Sequence, residues 1–478
     1  MRLMFALLAA AALAACERPA TEPAAPATRQ AEFSQPVLRA AAPAPASPRV
    51  CVEDGRAALV ERLRVDGLWV NDAVAGPMSP RMAGARIAAH DEASLLAGLL
   101  RYGPGMAVLV TYAGEDESCA WLLSRDGLVA YGRNGVSVGQ VALDVAAVMS
   151  ALDVEGARAA RTPVLRSETQ TVPPQPLGAL REGELATALA HVAESVTPGP
   201  IAAELGRYES LIVVPHQALA GFPMMLLTQG RAEGRPNYLV DRMSIQVAPA
   251  LSEIGIGPGL HRDLSVELAA MTAEQRRAVL SEALIVGDPR FNDAEYLMPQ
   301  LEGAALEARN IAATFGASPL LGADATNAAV RGRLRERPRY VHFATHGLAD
   351  FHNATGNRSF VALADGGRLT LADVRAERMA NGAIVVLSAC QTGLGASRPG
   401  GFVGLPRAFQ NAGAQTVVMS LWNVDDAATN HMMQGFARKL AETGRPASSF
   451  AAAVRETRAR YPDPRLWASF EVFSVAQP

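Results

Sequence analysis

Lysine is nearly absent from this 478-residue chain: Lys439 is the only one, and arginine carries almost all the positive charge. The arginines are scattered, the formal net charge is −3 and the pI is near 6.3. That balance offers no electrostatic footprint for nucleic acid and reads as an ordinary solvated surface. Metal-binding spacings such as CxxC and HExxH are missing, so no metal or other cofactor is expected. The glycine-rich run at residues 394–404 lacks the GK[ST] ending of a phosphate loop and reads as a mobile rim. There is no tetratricopeptide signature and no other internal repeat.

What the chain does hold is apolar side chains, 49% of the total, enough for one large core or two moderate ones. Its first residues stand apart from that core. Met1 and Arg2 precede an apolar run over residues 3–15, which has the length of a secretory signal and is too short to span a bilayer. The run ends in Leu13-Ala14-Ala15-Cys16. This resembles a bacterial lipobox, where cleavage precedes the cysteine and the thiol takes lipid. The alternative is an ordinary small-residue cleavage site that contains a cysteine. Residues 16–50 are rich in Ala, Pro, Thr and Gln, bury too little to fold, and read as a semi-rigid spacer from Cys16. An exported protein, lipid-anchored to a membrane and facing the periplasm, is expected. Glu17, rather than an Asp, points to the outer membrane. Of the four cysteines, Cys51 and Cys119 remain once Cys16 and Cys390 are set aside. In an oxidising compartment they are candidates for a disulfide, against two unpaired buried thiols.

Residues 51–104 form a small N-terminal region of unassigned fold. They mix short helical patterns with VDGLWVND at 65–72, which reads as a strand and turn. Residues 105–180 open with two apolar runs around the polar GEDES turn and a third after RDG, an antiparallel meander. An amphipathic helix follows, then a Pro- and Thr-bearing loop at 161–177. From 181 to 478, helical patterns alternate with short continuous apolar runs: SLIVVP, SIQVAP, ALIVGDP, YVHFATHG, FVALADG, AIVVLSAC and TVVMSLW. These predict an α/β fold, a mostly parallel sheet flanked by helices on both faces and preceded by the small meander. Residues 255–282 read as a polar, helical insertion.

Two of these strands end in reactive side chains. RYVHFATHG places His346 and Gly347 at the end of one; AIVVLSACQTG places Cys390 at the end of another. In an open parallel sheet, ligands bind outside the carboxyl ends of the strands, so a His and a Cys far apart in sequence meet at one edge. The nucleophile must be a thiolate. A nearby imidazole, and backbone N–H groups near a helix start expected after Gln391-Thr392-Gly393, would favour it. His346 is then the base and later the acid for the leaving amine. A histidine ending a strand is more often a satisfied core imidazole; the following glycine and the matching cysteine set His346 apart. His342, two residues earlier on the same side, is either a supporting partner or a decoy. His216, His352 and His431 read as structural or exposed.

These segments resemble the CHAT domain, a caspase-like family related to separases, caspases and gingipains. The resemblance runs in order through LIVVPHQALAGFPMMLL, ALIVGDPRF, LEGAALEA, YVHFATHG, VVLSACQTGLG, GFVGLPRAFQNAGAQTVVMSLWNVDDAAT and WASFEVF. It covers residues 105–478. It implies a caspase-like sheet carrying a cysteine endopeptidase with a Cys390/His346 dyad, its oxyanion held by the backbone N–H groups of Gly347 and Cys390. It also implies that a substrate peptide adds a strand along residues 417–422, with Trp422 as a subsite wall or a core residue. Gln391 and Ser420 join the substrate-binding candidates. Several relatives cut after Arg or Lys, which needs an acid. Asp350, Asp425 and Asp426 are the candidates, with helix capping the alternative for the last two. The helical repeats that many relatives carry upstream are missing here.

Two functions follow. The first is a lipid-anchored cysteine endopeptidase acting on a peptide or protein substrate, held inactive until a protein partner activates it or an inhibitory one leaves. Arginine-bearing loops at 158–166 and 395–400 are its candidate self-cleavage or gating sites. The second is a catalytically silent scaffold that binds a protein partner at the membrane. The intact dyad favours the first. The risk of thiol oxidation in the periplasm weighs for the second.

Overall fold

Valine- and isoleucine-rich runs build one eleven-stranded sheet in the computed structural model of the chain. Its strands are β1 (Met106–Ala113), β2 (Ser118–Ser124), β3 (Gly127–Asn134), β4 (Ser210–Val214), β5 (Ser244–Val247), β6 (Leu284–Pro289), β7 (Leu320–Gly322), β8 (Tyr340–Ala344), β9 (Ala383–Ser388), β10 (Ala414–Ser420) and β11 (Phe470–Ser474). The structure describes residues 49–474 apart from 71–91, 155–178, 255–267, 349–358, 390–395 and the short gaps 101, 153, 233–234, 249, 294–295, 297, 378, 381, 399–400, 404 and 423–424. The signal, Cys16 and most of the spacer therefore lie outside the described residues, as do His352 and the 158–166 loop.

Across the sheet the order is β3-β2-β1-β4-β5-β11-β10-β9-β8-β6-β7. The meander β1–β3 is antiparallel and β11 runs against β10; the other neighbours are parallel. The meander extends the main sheet, because β1 pairs with β4. β10 is an interior strand, bonded to β9 on one side and β11 on the other. The expectation that residues 417–422 form an open edge for a substrate strand is thus corrected. The groups a peptide would need are already used by the last strand of the chain.

The helices that matter here are α1 (Gly55–Val70), α2 (Glu92–Leu99), α3 (Val138–Leu152), α4 (Ala179–Val196), α5 (Ala273–Ser281), α6 (Glu302–Phe315), α7 (Asn327–Arg335), α8 (Leu405–Ala412), α9 (Asp426–Thr443) and α10 (Pro446–Arg460). They cover both faces, which is why the central strands are apolar at consecutive positions rather than alternate ones. Val108 and Val110 of β1 share one buried cluster with Leu59 and Leu63 of α1, while Leu109 belongs to the other, with Val148 of α3 and Leu189 of α4. On the central strands, Phe343 meets Phe409 of α8, and Tyr340 meets Phe315 of α6 on the opposite face. Of the strand and turn expected over residues 65–72, residues 65–70 are instead the end of α1, and Asn71 and Asp72 lie outside the described residues. Ala58, Leu59, Arg62 and Leu63 are buried at helical spacing, and that stripe carries the backbone on through Gly67.

Cys51 and Cys119 are joined in a disulfide, which ties the first described segment to β2. Around it the indole of Trp121 donates to Gly55 O at 2.8 Å and the Tyr131 hydroxyl donates to Val52 O at 2.7 Å. Of the expected insertion, residues 255–267 lie outside the described set. Its second half contains α5, opened by a Thr272/Gln275 capping box.

Candidate active site

β8 and β9 lie side by side, parallel, with Ala344 opposite Ser388. His346 and Cys390 each stand two residues beyond that pair. Neighbouring strands are about 4.8 Å apart, so the register brings Ala344 and Ser388 to the same stretch of the C-terminal edge. Cys390 and Gln391 lie outside the described residues, as does Asp350. Ser388 and Ala389, which lead to Cys390, are fully buried. The helix start expected soon after Cys390 is not found among the described residues. A hairpin, Ala396–Arg398 against Gly401–Val403, comes first, and α8 begins only at Leu405.

His346 is fully buried, and its Nε2 lies 2.8 Å from Pro299 O. A carbonyl can only accept. Nε2 therefore carries the proton of the neutral ring, and Nδ1 is the basic nitrogen. Phe291 packs on the imidazole with 4.7 Å between centroids. The backbone here is tied to a small three-stranded sheet formed by Gly347–Leu348, Phe360–Ala362 and Arg368–Thr370. His346 O accepts from Ala362 N at 2.9 Å, and Thr345 Oγ1 donates to Ala362 O at 2.9 Å. Gly347 opens that sheet, opposite Val361.

Pro299 sits in the segment between β6 and α6, whose described residues are held at several points. Leu301 N donates to Asp288 Oδ1 at 2.6 Å. Arg290 makes a two-oxygen contact with Asp365, and Arg368 grips Asp293 through Nε and a terminal nitrogen at 2.8 and 2.7 Å. The Arg368 guanidinium also lies 4.9 Å from the ring centres of Tyr296 and Phe360.

One layer below, His342 is buried beneath α6. Its Nε2 lies 2.7 Å from Glu307 Oε1 and its Nδ1 3.2 Å from the Tyr340 hydroxyl. Burial and then the Glu307 carboxyl hold the Tyr340 phenol well above its usual range, so it keeps its proton.

The remaining candidates divide. Ser420 is fully buried and donates from Oγ to Ala389 O at 2.5 Å. It holds the peptide just ahead of Cys390 and is buried rather than open to a substrate, which corrects the expectation. Trp422 is 2% exposed and its indole donates to Arg465 O at 3.0 Å; it is a core residue, not a subsite wall. Asp425 caps α9, accepting from Ala428 N at 2.8 Å. Asp426, in the first turn of α9, presses its carboxylate against Gly303 in the first turn of α6, where a Cβ would collide with it. With Glu302, Leu306, His431, Arg460 and Tyr461 it lines an open cleft of about 670 Å³. His216 is structural, its Nδ1 accepting from Ala113 N at 3.1 Å. No cluster of three candidate metal ligands occurs among the described residues. Sequence reasoning missed Pro299, Phe291 and Glu307. Only Glu307 left a signal, a lone acid on the stripe Ala304–Ala308–Ile311 that α6 buries.

The family model of the CHAT domain matches residues 186–475. The chain belongs to the CHAT domain family. β1–β3, which share the CHAT sheet, lie upstream of the matched stretch. Among curated proteins, tetratricopeptide repeat protein 28 of Mus musculus is 26% identical over 311 residues, and its Homo sapiens counterpart is 24% identical. The alignment covers 57% of this CHAT protein but only 12% of either relative. Among solved structures, the separase–securin complex of Saccharomyces cerevisiae aligns with a TM-score of 0.48 at 11% identity, over 89% of this chain and 34% of that one. The Arg-specific cysteine proteinase gingipain R aligns with a TM-score of 0.38 at 10% identity, over 60% and 67%.

Proposed function

We propose that this CHAT domain is a cysteine endopeptidase with Cys390 as nucleophile and His346 as base. The observation that supports the reading is the register of β8 and β9, which sets Ala344 opposite Ser388, two residues ahead of His346 and Cys390 in the sequence, with Pro299 O as the partner of His346 Nε2. The thiol proton passes to Nδ1, and the sulfur attacks the peptide carbonyl carbon. The oxyanion that forms is received by the backbone N–H groups of Gly347 and Cys390. The imidazolium then protonates the leaving amine and the C–N bond breaks. Water, losing a proton to Nδ1, hydrolyses the thioester and releases the second product and the thiol.

Finer features belong to the same reading. Asp426 and Glu302, at one end of the cleft beside α6, supply negative charge for a basic side chain of the substrate. The protein is exported and lipid-anchored through Cys16, in an outer membrane facing the periplasm; the Cys51–Cys119 disulfide supports an oxidising compartment. A protein partner controls access to the site.

The test incubates the protein and its Cys390→Ala twin with a diverse peptide mixture under reducing conditions and reads cleavage by mass spectrometry. Cuts made only by the parent establish the peptidase. If these fall after Arg or Lys, Asp426→Asn should raise KM for such peptides roughly tenfold. Cuts after other residues keep the dyad and remove the acidic subsite. No parent-specific cuts, with a partner protein still captured by the Cys390→Ala form, would make the chain a scaffold.

A further inference from the structure

We propose that Glu307, His342 and Tyr340 are positioning residues for His346, and that their work is to hold α6 in register with β8. The inference rests on the dyad reading above, but it is tested by a measurement that does not require turnover. Its basis is where the three groups sit. His342 lies four residues before His346 on one limb of the site. Glu307 lies eight residues after Pro299 on the other. The bond between Nε2 and Oε1, 2.7 Å long, therefore joins the two limbs whose ends must meet at Pro299 O and His346 Nε2.

The three groups form one directional chain. With the hydroxyl proton of Tyr340 directed at His342 Nδ1, 3.2 Å away, His342 presents Nε2–H to Glu307. All three residues are buried, with no more than 1% exposure. Burying such groups is costly, and apolar residues of similar volume often serve stability as well or better. What apolar packing does not give is a fixed rotation and a fixed slide of one element on another. Close packing supplies the other restraints on α6. A Cβ at Gly287 of β6 would collide with Ala308, and a Cβ at Gly303 would collide with Asp426 of α9. Those contacts set how near α6 lies to its neighbours. The Glu307–His342 bond sets where along β8 it stops, and so where Pro299 O stands.

The experiment compares the parent, Glu307→Gln, and the triple variant Glu307→Leu/His342→Leu/Tyr340→Phe. The triple variant removes the whole chain without leaving a buried group lacking its partner. Ring ¹⁵N shifts in histidine-labelled protein report the His346 tautomer, and kinetics on a cleaved peptide separate kcat from KM. Glu307→Gln keeps an acceptor for Nε2–H, so it should retain the single Nε2–H tautomer and a kcat within about threefold of the parent. The triple variant should melt within a few degrees of the parent yet show mixed His346 tautomers. Its kcat should fall roughly a hundredfold with KM little changed. A triple variant that folds and keeps the parent tautomer overturns the proposal. If the triple variant does not fold, Tyr340→Phe is read the same way: partial loss of the single tautomer supports the proposal, and an unchanged ring overturns it. A protein that cleaves no peptide removes the peptidase reading, while the ring shifts still decide this one.

Discussion

The hydroxyl of Ser420 on β10 donates to the carbonyl of Ala389, one residue ahead of Cys390. Ser420→Ala removes that bond from a fully buried place. The expected cost is about 1–2 kcal/mol of stability, read as a lower urea midpoint, together with a kcat that falls more than KM rises. A KM effect alone would return Ser420 to substrate binding. The family resemblance pointed to Ser420 and Trp422 because residues 417–422 read as an edge that a substrate strand would join. It could not show what lies beside that run. β11 comes from the last residues of the chain and closes β10 on its far side, so side chains that looked available are inside. The place of His346 just past the end of β8 was legible for the opposite reason: it depends on its own strand and the residue after it. Pro299, its hydrogen-bond partner, is 47 residues away in an irregular segment with no periodicity to mark it.

Among the elements, α6 is the one whose placement matters most to the site, and Gly287 measures how tightly it is held. A Cβ there would collide with Ala308 of the helix. Gly287→Ala should cost about 1–3 kcal/mol by pushing α6 outward; a variant with an unchanged urea midpoint would show that α6 yields freely. The central strands were visible as apolar runs, and the helices between them as alternating helical patterns. The end of α1 was misread because VDGLWVND has the β-branched and aromatic composition of a strand, while the buried stripe that extends the helix lies upstream of it. The disulfide acts on this same outer region. It closes a loop with a sequence separation of 68 between the first described segment and β2, which constrains the unfolded chain by about 4 kcal/mol. Reduction, or a Cys51→Ala/Cys119→Ala variant, should lower the urea midpoint accordingly. Equal midpoints with and without reductant would mean that the packing of Trp121 and Tyr131 on the N-terminal segment suffices alone.

For the molecule as a whole, two buried groups shape how stability varies with pH. Glu471 on β11 accepts from Met224 N at 2.9 Å, yet burial pushes its carboxyl from 4.5 up to about 8. His216, beside Tyr112, is held down from 6.5 to about 2, first by burial and then by the Arg62 guanidinium. Below pH 4.5 the unfolded chain binds a proton at His216 that the folded one does not, while Glu471 is protonated in both, so stability rises with pH. Between 4.5 and 6.5 folded Glu471 keeps a proton that the unfolded chain has lost. The two effects oppose and the curve is flat. From 6.5 to about 8, of these two groups, Glu471 alone stays linked to folding. Stability then falls by up to about 1.4 kcal/mol per pH unit and levels off beyond. Glu471→Gln keeps the acceptor for Met224 N and has no proton to lose. It should match its parent near pH 4 and exceed it at pH 8, by on the order of 4 kcal/mol. His216→Asn should flatten the acid limb and leave the alkaline one alone. Urea midpoints from pH 4 to 9 on the three proteins decide it: an alkaline decline that persists in Glu471→Gln assigns the loss to other groups, and one that disappears places it on a single carboxyl at the centre of the sheet.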